Sequence, residues 1–324
     1  MDSKTKIRKL TLLLAISFAL LGAIFLNYYK PFMSEQELIY SKTDAVVLVR
    51  NVDKSDIGTG FFISDNLIVT NNHVIKDGEN LVIYTKTTKE DGYPVEVISS
   101  DDYVDIALLK LKDWDKFKKE NKINYLSFSK YDTIEPVETV YTIGHPWALT
   151  WTISRGIISN DINIIANGPK FTMQSDAHLF QGNSGGTLID TDGLVVGLNT
   201  YMISNTGGSF GFSTPAGIVE KAVNDLLRYK EIRWPILGFL IGDDLTIKEV
   251  FPDTPASKAG LMVNDKITYI KSTLANKPIS NFTKFLYEVS SLNYNDFITL
   301  TVERDGKPIT VNVKPIYKIS DNFK

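Results

Sequence analysis

The feature that most restricts the fold is a series of short segments rich in β-branched and aromatic residues between residues 45 and 212. Gly, Asn and Asp turn signals separate these segments, and the polar stretch Asp113–Lys122 predicts a loop or a short helix. Strands at this spacing favour an antiparallel sandwich or barrel. The predicted strands are Ala45–Val49, Gly60–Val69, Leu81–Lys86, Val95–Ser99, Ile106–Leu111, Val137–Ile143, Thr150–Ile158, Phe171–Gln174 and Leu194–Asn199.

A different pattern begins at Pro215. Apolar residues recur at helical spacing from Ile218 to Leu227, which predicts a helix that ends the β-rich domain. The segment Arg233-Trp234-Pro235 marks a domain boundary. A second domain over residues 233–316 is predicted to combine four strands with a small helix from Ala256 and a helix that Ser280 caps. Those strands are Thr246–Val250, Lys266–Ile270, Phe297–Val302 and Ile309–Val313.

The amino-terminal segment predicts a membrane anchor. Leu10 to Leu26 is a run of 17 uncharged residues that follows a basic flank over residues 1–9. A helix of this length rises about 26 Å, close to the thickness of the hydrocarbon core. The anchor is assigned to residues 10–29, its basic end to the cytoplasm, and residues 30–40 to a stalk. A cleaved signal peptide is the alternative, but the run ends in bulky residues rather than small ones.

Composition excludes several kinds of chemistry. The chain has no cysteine, which excludes disulfides, thiolate zinc sites and cysteine nucleophiles. The net charge of -3 argues against a nucleic-acid partner. Three dispersed histidines, His73, His145 and His178, give no metal-ligand spacing, so neither a metal nor a cofactor is expected. His145, between Gly144 and Pro146, is interpreted as a turn residue.

The most informative segment is Gly182-Asn183-Ser184-Gly185-Gly186. Small neighbours expose the serine hydroxyl, and glycines let backbone N–H groups converge on a developing oxyanion. A glycine turn explains the same five residues when they are taken alone. The segment also matches the nucleophile elbow of α/β-hydrolases, whose order is Ser, acid, His. Since no histidine follows Ser184, that class is excluded.

The opposite order, His then Asp then Ser, is present. His73 follows an apolar strand, and Asp105 stands directly before the apolar strand that begins at Ile106. A buried carboxylate holds the tautomer of a catalytic imidazole and stabilises its cationic form. Asp101 and Asp102 compete for this role, and Asp105 is preferred because the strand begins immediately after it.

Five segments in this order resemble the protease domain of the HtrA/Deg family of trypsin-like serine proteases, over about residues 45–230. The resemblance implies two antiparallel β-barrels of chymotrypsin-like type with the active site between them. The second domain resembles a PDZ domain, through Val250–Leu261 and Val263–Ile267. One membrane segment with one PDZ domain is most similar to the membrane-anchored branch of the family. The five segments are Gly58–Ser64, Thr70–Val74, Asp105–Lys110, Gly156–Ser159 and Gly182–Gly186.

The resemblance also implies roles for individual residues. Ser184 is the expected nucleophile, His73 the general base and acid, and Asp105 the acid that orients His73. The expected oxyanion hole lies at Gly182, Asn183 and Ser184, and the expected substrate pocket at His178, Asn199, Thr200 and Ser213. A hydrogen-bonded structural role is the alternative for His178. The protease domain is assigned to residues 41–232 and a tail to residues 317–324.

Three departures from the family pattern matter. Phe180-Gln181 stand where the family usually has Asn-Pro, Thr187 stands where it has Pro, and His178 stands where it has a small residue, which leaves the residue preference before the cut open. Asn183 replaces the aspartate of digestive relatives, and an amide cannot form their ion pair with a newly cut amino terminus. Ordering of the loop around Phe180–Gly182 is therefore the expected switch.

The PDZ resemblance implies a binding site for protein carboxyl termini. Ile236, Leu237, Gly238 and Phe239 resemble the loop whose N–H groups hold a terminal carboxylate, beside a helix at 281–290. Phe285 and Val289 are expected in its groove or in the core. The family implies a homotrimer, with Phe32 and Tyr40 as candidate contacts.

The sequence thus predicts a serine endopeptidase of the cell envelope, active in protein quality control or stress response. Its expected substrates are misfolded or regulatory proteins. It is placed in a bacterial inner membrane by a single pass, in contact with the lipid bilayer through residues 10–29, with both domains in the periplasm. The alternatives are a soluble periplasmic protease after signal cleavage and a proteolytically silent PDZ scaffold or chaperone.

Overall fold

The computed structural model describes residues 33–88, 91–129, 135–163, 171–205, 208–273 and 275–319. The predicted anchor over residues 10–29 and the trimer candidate Phe32 lie outside these ranges. Within them, none of the helices combines the length and the hydropathy that a membrane crossing requires.

The first β-barrel is closed and antiparallel, with strand order β1-β2-β3-β6-β5-β4 and β4 paired back to β1. The predicted strand Gly60–Val69 is two strands, because the chain turns at Asp65-Asn66, where Asn66 has a φ of 51°. The six strands are β1 (Val46–Asn51), β2 (Asp56–Ser64), β3 (Leu67–Thr70), β4 (Leu81–Tyr84), β5 (Tyr93–Asp101) and β6 (Ile106–Leu111). Side chains on both faces of these strands are buried: Phe62 lies in one core cluster, and Phe61 and Leu108 lie in another.

The second β-barrel repeats this plan, with strand order β10-β11-β12-β9-β8-β7 and β10 paired to β7. Its strands are β7 (Thr139–Gly144), β8 (Thr152–Asn163), β9 (Thr172–Ser175), β10 (Thr187–Ile189), β11 (Val195–Asn205) and β12 (Gly208–Pro215). Ile143, Leu198 and Phe171 belong to a core cluster that also contains Phe61 of the first barrel. The two barrels therefore pack on one shared core, and the prediction of a two-barrel fold is confirmed.

Four helices flank the barrels: α1 (Glu35–Lys42), α2 (Asn72–Ile75), α3 (Trp114–Glu120) and α4 (Ala216–Tyr229). Helix α1 occupies most of the predicted stalk, because Ser34 and Glu37 form a reciprocal capping box at its start. A 3-10 turn (Thr43–Ala45) leads from α1 into β1. The apolar face of α4 is buried on the barrels, as its periodicity predicts.

The carboxyl-terminal domain contains three small sheets. Its strands are β13 (Arg233–Ile236), β14 (Phe239–Ile241), β15 (Ile247–Val250), β16 (Lys266–Lys271), β17 (Asn276–Pro278), β18 (Ile298–Arg304), β19 (Lys307–Val313) and β20 (Ile316–Ile319). Its helices are α5 (Pro255–Lys258) and α6 (Phe282–Ser290). Asn281, not Ser280, caps α6, since its side chain accepts the N–H of Lys284 at 2.8 Å. Part of the predicted tail is strand β20, because it pairs with β13.

A buried ion pair fastens the linker between the domains. Lys221 and Asp225 of α4 are only 1% and 2% exposed and bond to each other. Lys221 also donates to the carbonyl of Arg233 at 2.7 Å, and Asp225 accepts the N–H of Arg233 at 2.9 Å. Burial lowers the pKa of Lys221, and the charge of Asp225 offsets this only in part, so the pKa lies below its usual value. The first strand of the second domain is thus bonded directly to the last helix of the barrels.

Candidate active site

Asp105 holds His73 through both carboxylate oxygens. Helix α2 begins directly after β3, and this turn brings His73 opposite the start of β6. Asp105 Oδ1 accepts the backbone N–H of His73 at 2.8 Å, and Oδ2 lies 2.6 Å from Nδ1 of the same residue. The His73 side chain is 48% exposed and that of Asp105 only 19%. The imidazole therefore turns one nitrogen to the carboxylate and leaves Nε2 for a reacting group.

The two competing aspartates make other bonds. Asp102 accepts from Lys76 Nζ at 3.1 Å and from the Asn72 amide, and its side chain is 68% exposed. Asp101 accepts the N–H of Val104 at 2.8 Å, which closes the turn before β6. The structure thus places Asp105, the preferred candidate, at the imidazole.

The loop that carries Ser184 packs against the segment that carries His73. A Cβ atom on Gly58 would lie 2.6 Å from Val74 and 3.1 Å from the Ser184 carbonyl oxygen. A Cβ on Gly185 would lie 2.3 Å from the Thr70 hydroxyl. Two glycines without side chains therefore allow the first and second barrels to bring His73 and Ser184 to one cleft. The Ser184 hydroxyl donates to the carbonyl oxygen of Thr200 at 3.2 Å in this resting arrangement.

Hydrogen bonds of neighbouring peptide groups hold the two expected oxyanion donors, the N–H groups of Gly182 and Ser184, in place. Gln181 O accepts the N–H of Trp147 at 2.8 Å, and the N–H of Asn183 donates to Phe180 O at 2.9 Å. Asn183, which lies between the two expected donors, thus uses its own N–H within the loop. Among the described residues, the N–H groups of Gly182 and Ser184 take part in no hydrogen bond. Gly182 has a φ of +100°, a conformation that favours glycine.

A small cavity of about 70 Å³ opens beside Ser184. Asn199 and Thr200 line it, whereas Ser213 is buried and donates to Asn199 Oδ1 at 2.9 Å. His178 is exposed, lies outside the cavity, and stands 6.1 Å from the Phe180 ring centre. Five of the lining residues were not among the predicted site residues, namely Leu179, Phe180, Gln181, Tyr201 and Met202. The full lining is Leu179, Phe180, Gln181, Asn183, Ser184, Asn199, Thr200, Tyr201 and Met202.

His145 follows β7 directly and stands at the start of the 3-10 turn Pro146–Ala148, where it is buried, with 0% of its surface exposed. Its Nδ1 lies 3.1 Å from the hydroxyl of Thr59, and its ring stands edge-on to Trp151 at 5.0 Å between ring centres. Burial lowers the pKa of His145 to about 3, so the ring is neutral at physiological pH. The sequence gives no direct signal for this position, because its partner Thr59 lies on a strand of the other barrel.

The low pKa of His145 predicts a pH-dependent stability. The unfolded chain binds a proton at this residue near pH 6.5, whereas the folded chain binds it only near pH 3. The contribution of His145 to the free energy of unfolding is therefore complete above pH 6.5. It falls by about 1.4 kcal/mol per pH unit as the pH drops from 6.5 towards 3. In urea titrations at pH 7, 6 and 5, the free energy of unfolding of H145N should fall less steeply than that of the wild type. Parallel curves for the two proteins would contradict the assigned burial.

Two six-stranded barrels with a His–Asp pair on one and a half-buried serine on the other define the trypsin-like peptidase fold. The sequence matches the family described as trypsin-like peptidase domain over residues 58–198 and the PDZ domain family over residues 220–314. The chain is a trypsin-like peptidase domain followed by one PDZ domain, and it is homologous to the DegP, DegQ and HtrA proteases.

Named relatives agree with this assignment. The chain is 33% identical over 286 residues to a probable periplasmic serine endoprotease DegP-like of Chlamydia pneumoniae, a match that covers 80% of this chain and 55% of the relative. It is 27% identical over 281 residues to the periplasmic pH-dependent serine endoprotease DegQ of Escherichia coli, covering 79% and 58%. The chain thus spans little more than half the length of these curated relatives.

Solved structures show the same architecture. The serine endoprotease from Yersinia pestis superposes with a TM-score of 0.55 at 28% identity, covering 88% of this chain and 98% of that one. The HtrA-type protease AlgW with a tripeptide has a TM-score of 0.63 at 22% identity, covering 88% and 97%, which supports the shared fold.

Proposed function

We propose that this chain is a serine endopeptidase. The observation that carries the proposal is the bidentate bond from Asp105 to His73, at 2.8 and 2.6 Å, in the cleft that also holds Ser184. His73 Nε2 takes the proton of the Ser184 hydroxyl as the oxygen attacks a peptide carbonyl. The protonated imidazole, held by Asp105, then gives that proton to the leaving amine, and water hydrolyses the acyl-enzyme in a second round.

The oxyanion of each tetrahedral intermediate would bind to the N–H groups of Gly182 and Ser184, which the described structure leaves unused. The Ser184 hydroxyl first has to rotate from the Thr200 carbonyl towards His73. In unliganded enzymes such bonds are often made only when substrate binds.

The cavity beside Ser184 indicates the side chain that precedes the cut. It is small, about 70 Å³, and its lining contains no charged residue. We propose that it accepts a small uncharged side chain, because a lysine or arginine would find no carboxylate to pair with. Since His178 lies outside this cavity, its effect on that preference is expected to be small.

The envelope is the proposed site of action. The two relatives described above are named as periplasmic serine endoproteases, and the basic flank before the apolar run 10–26 favours translocation of both domains. We propose the DegS type of organisation, with an anchor over residues 10–29 in the inner membrane and a homotrimeric assembly. Tyr40 remains a candidate trimer contact, because it is 64% exposed. Misfolded or regulatory envelope proteins are the proposed substrates.

Control by peptide carboxyl termini is proposed for the PDZ domain. The carbonyls of Leu237 and Gly238 accept the N–H groups of Ala256 and Phe251, at 2.9 and 3.0 Å. The Gly238 N–H shares a trans peptide with the Leu237 carbonyl and points in the opposite direction, away from Ala256. A terminal carboxylate would bind on that side. Phe285 and Val289 are both buried in the domain core, so their contribution to the groove is limited to its floor.

Contacts of α6 with the second barrel support coupling between the two domains. Lys284 Nζ lies 2.8 Å from Asp161 of β8, and Tyr287 stands edge-on to Phe171 at 5.8 Å between ring centres. Burial lowers the pKa of Lys284, but the hydrogen bond to Asp161 and its charge outweigh burial and raise it. A peptide that binds beside α6 would contact a helix that is already bonded to the protease domain through Lys284 and Tyr287.

The decisive experiment is active-site labelling of the chain with a fluorophosphonate, with S184A as the control and mass spectrometry to locate the adduct. Labelling of Ser184 is the expected result. A rise in labelling upon addition of hydrophobic peptides with free carboxyl termini, but not of their amidated forms, would support PDZ control. No adduct under either condition would overturn the peptidase proposal in favour of the silent scaffold.

A further inference from the structure

Thr59 of β2 is the residue through which the first barrel holds the loop before Ser184. Its backbone N–H donates to the Ser184 carbonyl at 2.8 Å, and its hydroxyl donates to the Gly182 carbonyl at 2.7 Å. The same hydroxyl oxygen lies 3.2 Å from the backbone nitrogen of His145 and 3.1 Å from that residue's Nδ1. One hydroxyl thus connects both barrels to the loop.

Counting donors fixes the tautomer of His145. A hydroxyl has one hydrogen to donate, and the Gly182 carbonyl can only accept, so the Thr59 hydrogen lies on that bond. The Thr59 oxygen must then accept from His145 Nδ1, and the neutral ring carries its proton there. Its Nε2 is buried without a hydrogen-bond partner among the described residues, as an unprotonated nitrogen of this tautomer would be.

The bond from Thr59 is one of three that hold the two peptide units on either side of Gly182. The unit between Gly182 and Asn183 is held at its carbonyl by Thr59 and at its N–H by Phe180 O. The preceding unit, which carries the Gly182 N–H, is held at Gln181 O by the N–H of Trp147. Glycine rotates easily about both dihedrals, so without the Thr59 bond the direction of the Gly182 N–H depends on the Trp147 bond alone.

We propose that His145 is a positioning residue of the oxyanion hole. Its Nδ1–H donates to the Thr59 oxygen together with the backbone N–H of the same residue. The two bonds hold the Thr59 hydroxyl where it donates to the Gly182 carbonyl, and this steadies the loop that directs the Gly182 N–H at the reacting carbonyl oxygen. The inference rests on the proposed peptidase function and gives a role to a histidine outside the catalytic triad. The proposed role depends on the hydrogen-bond donor at His145 Nδ1. It therefore differs from a role in which the His145 side chain only fills a buried space.

Asparagine and leucine at position 145 separate these two roles. The amide nitrogen of asparagine is as many bonds from Cα as Nδ1 of histidine, so H145N keeps a donor near Thr59. H145L has nearly the shape of H145N but no side-chain donor, so only the backbone N–H of position 145 still donates to Thr59. Removing a whole oxyanion donor lowers kcat by about 10²–10³-fold. Because Trp147 still holds the preceding peptide, we expect H145L to lower kcat by about 10- to 100-fold.

The test measures kcat and KM of the full chain, in mild detergent, on fluorescein-labelled casein. H145L should lose kcat with KM within about twofold, since the oxyanion forms only in the transition state, and H145N should recover most of the loss. Equal kcat values for H145L and H145N would overturn the inference, whether both are active or both impaired. Wild-type chain that cleaves no casein would overturn the proposed function and the inference with it.

Two further measurements keep the test decisive if H145L does not fold. T59V removes the hydroxyl and retains the shape, whereas T59S retains the hydroxyl, so only T59V should lose kcat. The ¹⁵N spectrum of histidine-labelled chain at neutral pH should show His145 protonated at Nδ1. A ring protonated at Nε2, or equal kcat values for T59V and T59S, would overturn the proposal.

Discussion

Replacing Ser184 with alanine is expected to lower kcat for casein cleavage by about 10⁶-fold, because the chain would lose its nucleophile. Adding His73→Ala to this variant should cost almost nothing more, since the only proton that His73 moves in the first step is that of Ser184. Residues that act as one unit are strongly non-additive. The measurement compares kcat of S184A, of the His73→Ala variant and of the double variant with that of the wild type.

A matched serine outside the cleft makes the result specific. Ser64 is exposed at the end of β2 on the first barrel, so S64A should keep the wild-type kcat. Additive losses in the double variant would mean that Ser184 and His73 act in separate processes. That result would contradict the acyl-enzyme mechanism even if each single variant were inactive.

Much of the fold was predictable because its strands are locally encoded. Ile106–Leu111 is an apolar run bounded by turn residues, and the structure has a strand over the same residues. β10 escaped prediction because three residues, Thr187–Ile189, are too short for a periodic signal. Helix α1 also escaped, since its start depends on the capping box at Ser34 rather than on an apolar face.

The residues of the candidate site fall into the same two groups, those with a local sequence signal and those whose roles depend on contacts in the folded chain. Glycine-rich and strand-end positions made Ser184, His73 and Asp105 recognisable, because each has a local sequence context. No local signal marked the roles of Thr59 and Tyr201, although Thr59 lies in the segment Gly58–Ser64, because these roles come from contacts that form only in the folded barrels. The burial of His145 belongs to this second group, since it depends on Thr59, which is 86 residues away.

Replacing Asp105 with asparagine is expected to lower kcat by about 10⁴-fold, because either orientation of the amide spoils His73. If the amide oxygen accepts the backbone N–H of His73, the amide NH₂ faces Nδ1 and forces the proton onto Nε2. Nε2 is then unable to accept the Ser184 proton. If the amide is flipped, its NH₂ opposes the backbone N–H, and two donors repel each other at 2.8 Å.

The neighbouring Asp102 supplies the matched control for D105N. The Asp102 carboxylate is 68% exposed and bonds to Lys76 and to the side-chain amide of Asn72. D102N therefore removes one negative charge near His73, as D105N does, but leaves both bonds from Asp105 to His73 in place. We expect D102N to stay within about threefold of the wild-type kcat, since an exposed ion pair contributes little. A comparable loss in D102N and D105N would show that general electrostatics, not the tautomer of His73, limits the reaction. A large loss in D105N alone would instead locate the effect at the two bonds from Asp105 to His73, which is the feature that carries the proposed function.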